Sequence, residues 1–238
     1  MRTISIAQNI SQLNERVRLA AQKSQRDPAN ICILAVSKTR PENDIREAHA
    51  QGYRHFGENY LQEALGKMTQ LADLDLCWHY IGPMQSNKTR PIAERFSWVH
   101  SVDRLKIAQR LSQQRPPGLA PLNVCLQVNI SGEASKYGVN TDDLHSLAQA
   151  TAQLPQLRLR GLMAIPAPSD NTHSQHLAFA RLHTLLEQLQ SNLPYLDTLS
   201  MGMSADLEAA ITEGATIIRV GTDIFGAREK PVHNSTDH

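Results

Sequence analysis

The chain has 238 residues, 24 Lys+Arg against 23 Asp+Glu, a formal net charge of +1 and 41% hydrophobic residues. That length suits one large domain with a substantial buried core, and the near-neutral balance gives no reason to expect nucleic acid or an anionic membrane as partner. No run approaches the roughly 18 apolar residues of a membrane span, and the start MRTISIAQNI lacks the apolar region of a secretory signal, so a soluble intracellular protein is expected.

In chain order, Ile4, Ile6, Ile10, Leu13, Val17 and Leu19–Ala20 recur at helical spacing, which predicts a helix over 3–25 that Pro28 ends. Short β-type runs follow at 31–37, 54–58, 77–82, 97–102, 123–130, 157–165, 197–201 and 216–221. Between them lie amphipathic helical stretches at 41–51, 60–73, 87–95, 103–113, 141–153, 173–191 and 204–213, with a short terminal helix near 222–227. Strands alternating with helices at this spacing imply parallel pairing and right-handed crossovers. About eight such units predict an α/β fold, a single (β/α)8 TIM barrel with an extra N-terminal helix. A doubly wound sheet is the competitor, but its glycine-rich first turn is missing: SKTRPEND has no glycine. The barrel is expected to fill 1–228, leaving 229–238 as a polar C-terminal tail.

Cys32, Cys77 and Cys125 are odd in number, far apart in sequence and set in apolar segments, with no CxxC and no Cys/His zinc spacing. They read as buried reduced thiols and point to the cytoplasm. Trp78 and Trp98 read as helix–sheet packing. His173, His176 and His183 read as one polar helix face without a metal partner.

Barrel chemistry gathers at the carboxyl ends of the strands. The residues expected there are Ser37–Lys38, Glu58–Asn59, 79–82, 101–103, Asn129, Met163–Ala164, 200–204 and 219–222, a polar ring over an apolar core with one strand-ending lysine. Leu34, Val36 and Lys38 share a strand face. If that face points inward, burial lowers the lysine pKa and the neutral amine can attack an aldehyde; otherwise Lys38 snorkels to water. LSMGMSADLEAAI places a Gly-containing turn before a helix opened by Ser204, and RVGTDIFG offers Gly221 and Thr222. Turns after strands seven and eight often hold phosphate, although ordinary capped turns read the same way, and Asp206 would repel an anion unless it points away. Strand eight adjoins strand one in a closed barrel. The implied ligand is a small phosphorylated aldehyde or ketone, and both pyridoxal 5′-phosphate (PLP) and an aldolase substrate fit.

The segments VSKTRP, HFGENYLQEA, WHYIGPMQSNK, SKYG, RGLMAIP, LSMGMSADLEAAI and RVGTDIFGAR together resemble the pyridoxal phosphate homeostasis protein family, PLP-binding barrels related to the N-terminal domain of alanine racemase. The resemblance implies that Lys38 holds PLP as a Schiff base. It implies that Ser200, Met201, Gly202 and Ser204 with Gly221 and Thr222 hold the phosphate, that Arg219 faces the pyridine nitrogen, and that Asn59, His79 and Met163 line the pocket. The implied role is intracellular buffering or delivery of this vitamin B6 cofactor, with effects on amino-acid and keto-acid balance, no catalytic residues and no metal. Apo PLP-dependent enzymes are the implied acceptors, and a monomer is expected. Alanine racemase carries a catalytic tyrosine on a second domain. The barrel is expected to account for the chain to about residue 227, so no second domain is expected, and Tyr53, Tyr60, Tyr80, Tyr137 and Tyr195 are not expected to stand where it would supply one. A racemase-type enzyme, a Schiff-base aldolase and an interaction protein with a vestigial pocket are the alternatives. Relatives often carry a lysine where Arg40 stands, and Lys136 reads as a solvated loop residue, with contact to the cofactor or a partner during transfer as the alternative.

Overall fold

The computed structural model describes residues 5–131 and 137–227. Lys136, Arg228 and the expected tail lie outside the described residues. Helix α1 (Ile6–Lys23) starts with a capping box, in which Ser5 and Gln8 each bond the other's backbone N–H. It buries Ile6, Ile10, Leu13, Val17 and Ala20–Ala21 on one face, the 3.6-residue stripe that hydrophobic burial selects.

Eight parallel strands close into a barrel in chain order: β1 (Cys32–Val36), β2 (His55–Glu58), β3 (Cys77–Tyr80), β4 (Trp98–Val102), β5 (Leu122–Gln127), β6 (Leu157–Met163), β7 (Thr198–Ser200) and β8 (Ile217–Val220). Each is followed by a helix: α2 (Glu42–Ala50), α3 (Leu61–Gln70), α4 (Thr89–Arg95), α5 (Leu105–Gln114), α6 (Thr141–Ala152), α7 (Thr172–Gln190), α8 (Leu207–Thr212) and α9 (Thr222–Phe225). The fold is the expected TIM barrel. β8 pairs with β1 in the register Leu34↔Arg219 and Ala35↔Val220, which closes the barrel and sets Arg219 beside the lysine strand. α1 packs on α8, α9 and α2, across that seam. Among the described residues no helix is long and apolar enough to cross a membrane.

The outer core is aliphatic and aromatic: Ala35, Phe56, Ile92, Val99, Ile107, Leu111 and Phe179 are fully or almost fully buried between strands and helices. The barrel interior is not the apolar plug expected beneath a polar ring. His79 and His100 are wholly buried there, in contact with His55, Ser200 and, through Ser200, Arg219. Trp78 contacts Phe56, as helix–sheet packing predicts, but Trp98 stacks on His79 at 5.4 Å and carries the Arg160 guanidinium 4.9 Å over its ring. Arg160 reaches that place because β6 bulges: Val124 pairs with Leu159 and Cys125 with Gly161, leaving Arg160 as the extra residue. It bonds Asn123 and Asp197.

Candidate functional site

At the carboxyl end of the barrel, a cavity of about 300 Å³ is lined by Val36, Lys38, Arg40, Asn59, Ile81, Ile165, Met203–Ala205, Arg219, Gly221 and Thr222. Six of the expected residues therefore converge on it: Lys38, Asn59, Ser204, Arg219, Gly221 and Thr222.

Lys38 sits in a turn that the barrel holds from behind. Ser37 N–H donates to Gly57 O, Ser37 Oγ donates to Glu58 Oε1 (2.7 Å), and Lys67 Nζ donates to Ser37 O (2.6 Å). Thr39 has φ +62°, unusual for a β-branched residue, and its N–H donates to Glu63 Oε1 (2.5 Å). Such a backbone costs about 1–3 kcal/mol and persists where surrounding contacts over-determine it. Those contacts meet at Lys67, buried between Glu58 (2.8 Å) and Glu63 (2.5 Å). Burial pushes the Glu58 carboxyl above its ordinary range, against the opposing pull of Lys67 and Ser37. Glu58 was expected at a strand end, but nothing in the residue pattern singled out Lys67. The i,i+4 pair Glu63–Lys67 was the available signal, and it reads equally well as a solvated surface pair.

Asn59 is seated by Gly82: a Cβ there would stand 2.2 Å from Asn59 O. Its buried Oδ1 has no hydrogen-bond partner among the described residues. Arg219, 4% exposed, donates to Ser200 O (2.6 Å), Ser200 Oγ (2.9 Å) and Ala164 O (2.9 Å). Burial lowers its guanidinium to about 10, which still leaves it charged at neutral pH.

The two turns expected to take an anion lie side by side. The Ser204 and Ala205 amides donate to no other backbone group among the described residues. Gly221 lets β8 approach β1, since a Cβ on it would stand 3.2 Å from Val36 O. The helix opens at Leu207 with Asp206 in the cap position, so Ser204 is not its cap as expected; it belongs to a longer preceding turn. The concern over Asp206 resolves in the geometry, because its carboxylate accepts from Met203 N–H (2.6 Å) within its own turn. Arg16 was not anticipated. From α1 it bonds Ser204 O (3.1 Å), Glu208 (2.9 and 3.0 Å) and Asp223, tying both turns together and countering their carboxylates. Arg40 lines the cavity, bonds Gly226 O and lies 5.9 Å over the Phe225 ring, so its cation is occupied by the end of α9.

Five expected residues do not line the cavity. Gly202 has φ +91° and packs on α8, where a Cβ would stand 2.4 Å from Ala210 Cβ. Ser200 is buried beneath the cavity as the acceptor for Arg219. Met201 and Met163 are buried in the wall. His79 lies deeper still, with Nε2 at 2.9 Å from His55 Nδ1 and Nδ1 at 2.9 Å from His100 Nε2. The helical histidines remain surface groups, His176 on Glu213 (2.7 Å) and His183 near Glu187 (3.9 Å). Cys77 departs from the sequence expectation: strand pairing brings it beside His55 and His79.

Residues 8–229 match the family model described as alanine racemase, N-terminal domain. The chain is 67% identical over 225 residues to a pyridoxal phosphate homeostasis protein of Pseudomonas aeruginosa, covering 94% of this chain and 96% of that one. It is 49% identical over 227 residues to the protein of that name from Escherichia coli, covering 94% and 97%. Among solved structures it is similar to PipY of Synechococcus elongatus with PLP bound, at 42% identity and a TM-score of 0.78, covering 88% of this chain and 98% of that one. An alanine racemase from Corynebacterium glutamicum shares the fold at 18% identity and a TM-score of 0.66, covering 96% of this chain and 62% of that one.

Proposed function

The chain belongs to the pyridoxal phosphate homeostasis protein family, and from that premise we propose that it binds PLP in the Lys38 cavity as a non-catalytic carrier that buffers or delivers the cofactor. The residues fit the group. A cavity of about 300 Å³ lies at the small end of the usual range for small-molecule sites, and it combines one lysine, one buried arginine and two adjoining turns. The buried Asn59 Oδ1 is an acceptor in want of a donor. PLP supplies an aldehyde, a phosphate and an electron-withdrawing ring. Lys38 would hold the aldehyde carbon covalently, Ser204, Gly221 and Thr222 the phosphate, and Arg219 would stand at the pyridine nitrogen.

The observation that carries the non-catalytic reading is the lining itself. Among the described residues that line it, only Lys38 offers a side-chain base, since a guanidinium is a poor proton acceptor and no tyrosine is there. Reactions that invert a carbon centre need bases on both faces. A cationic Arg219 also disfavours a second positive charge at the pyridine nitrogen, which weakens the electron sink.

Borohydride reduction of the loaded protein, followed by peptide mass spectrometry, is expected to place PLP on Lys38, with no adduct in Lys38→Ala. An adduct on another lysine would overturn the covalent assignment, and failure to retain PLP would overturn the reading. Amino-acid racemisation at ordinary enzymatic rates, about 1–10³ s⁻¹, would overturn the carrier role. Arg16→Ala is expected to weaken PLP and inorganic phosphate binding together, with stability changed by less than about 1 kcal/mol because its ion pairs are partly exposed. Unchanged affinity for both would remove Arg16 from the anion site.

A further inference from the structure

The amino end of the barrel holds a second set of chemically active side chains that the cofactor cavity does not use. β2 and β3 pair with His55 opposite Cys77, and Cys77 and His79 share one face of β3. One ligand atom each of His55, Cys77 and His79 therefore lies within 4.8 Å of the others. A cavity of about 550 Å³ at that end of the barrel is lined by His55, together with Cys32 and Tyr53 among others. From this geometry we propose that His55 Nδ1, Cys77 Sγ and His79 Nε2 form a zinc site at the amino end of the barrel, with a solvent molecule as fourth ligand.

Two of the three ligand–ligand distances are close to those of a bound set, and the third, His55 to Cys77, lies within 4.8 Å. Zn–N bonds of about 2.0–2.1 Å and a Zn–S bond of about 2.3 Å at tetrahedral angles put N and S about 3.6 Å apart, and two N atoms about 3.4 Å apart. Cys77 Sγ stands 3.5 Å from His79 Nε2. His55 Nδ1 stands 2.9 Å from the same atom, so its ring needs to withdraw by only about half an ångström. Two imidazoles and one thiolate are a borderline-soft set suited to zinc. Binding expels the thiol proton to solvent and leaves both ring protons on the nitrogens that do not ligate, Nε2 of His55 and Nδ1 of His79.

The outer shell is already built. His79 Nδ1 meets His100 Nε2 at 2.9 Å, His100 Nδ1 meets Ser200 Oγ at 2.7 Å, and Ser200 Oγ accepts from Arg219. A metal on His79 Nε2 makes its Nδ1–H the donor to His100, and His100 in turn the donor to Ser200. This is the hydrogen-bonded backing that orients metal-ligating imidazoles. Trp98, stacked on His79 with an interplanar angle of 7°, holds the ring in that orientation.

The test uses the full-length, reduced, metal-stripped protein. Titration with Zn²⁺ in competition with a chromogenic chelator is expected to give one zinc per chain. Co²⁺ as probe is expected to give tetrahedral visible bands and a thiolate charge-transfer band. Cys77→Ser is expected to abolish the charge-transfer band, and His55→Gln to weaken zinc by at least about tenfold, the lower end of what losing even an outer-shell partner costs. His176→Gln, on the surface, is expected to leave both unchanged. Circular dichroism of each variant identifies any loss due to unfolding, and borohydride trapping of PLP on Lys38 reads the other site separately. No zinc binding, binding of Cu(I) alone, or zinc affinity unchanged in both folded His55 and Cys77 variants would each overturn the site.

Discussion

Glu58→Ala is expected to lower stability by about 3–5 kcal/mol, the cost of leaving one partner of a buried ion pair behind. Glu58 is fully buried and Lys67 is 3% exposed. Removing the carboxylate leaves Lys67 with Glu63 and the Ser37 carbonyl, removes the acceptor of Ser37 Oγ, and opens a cavity behind the lysine turn. At roughly 2–4 °C per kcal/mol for a chain of this size, the melting temperature should fall by about 6–20 °C. Glu58→Leu combined with Lys67→Met should recover most of the loss, since apolar replacement of a buried pair is often neutral. The double variant should nonetheless hold PLP less well, because the Ser37 carbonyl loses its donor and the strained Thr39 turn loses part of its support.

The pH dependence follows from the raised Glu58 carboxyl. Between its ordinary value of 4.5 and its higher folded value, the native chain holds a proton that the unfolded chain has released. This group's contribution is therefore fully present below 4.5 and declines as pH rises through the folded value. Denaturant midpoints compared with Glu58→Gln across that window should show the parent losing ground with rising pH. A Glu58→Ala loss below about 1 kcal/mol would mean that the cluster does not organise the turn.

Gly161→Ala is expected to cost more than about 4 kcal/mol, in the range reserved for a named structural insult. A Cβ on Gly161 would stand 1.9 Å from Thr198 O and 2.8 Å from Thr198 C, both backbone atoms that no rotamer can move away. β7 has only three residues and pairs with β8 at the single position Ser200↔Ile217. Pushing it outward breaks the Asp197 N–H bond to Arg160 O and displaces Ser200, the acceptor for Arg219. Denaturant unfolding of this variant, or its failure to accumulate as folded protein, measures the effect. A loss near 1 kcal/mol would show that β7 yields, contrary to its place between two paired neighbours.

These two positions differ in how legible they were. Every strand and helix of the barrel was visible in the alternation of apolar runs and amphipathic stretches, because burial on both faces of a parallel strand and one face of a helix writes different periods into the chain. β1 and β8 were readable as neighbours once the barrel was inferred, and six cavity residues followed from strand ends. Lys67, Arg16 and the interior histidines were not readable. A buried lysine on α3 has the same local spacing as an exposed one, and Arg16 acts on residues about 190 positions away. Strand ends also do not reveal depth: His79, expected to line the pocket, and Ser200, expected to hold the phosphate, are both buried beneath the cavity.

By itself the sequence determined the barrel, Lys38 just beyond the end of β1 and the pairing of the last two turns, since each is encoded in local periodicity and turn chemistry. Only the tertiary structure decided which polar groups meet. Closing eight strands brings Cys77 beside His55 and His79, runs a hydrogen-bonded chain from His55 to Arg219, and sets Arg16 over both turns. The reason is that inward-facing side chains on different strands share a small enclosed volume, and their contacts depend on barrel register, which no local stretch of the chain specifies.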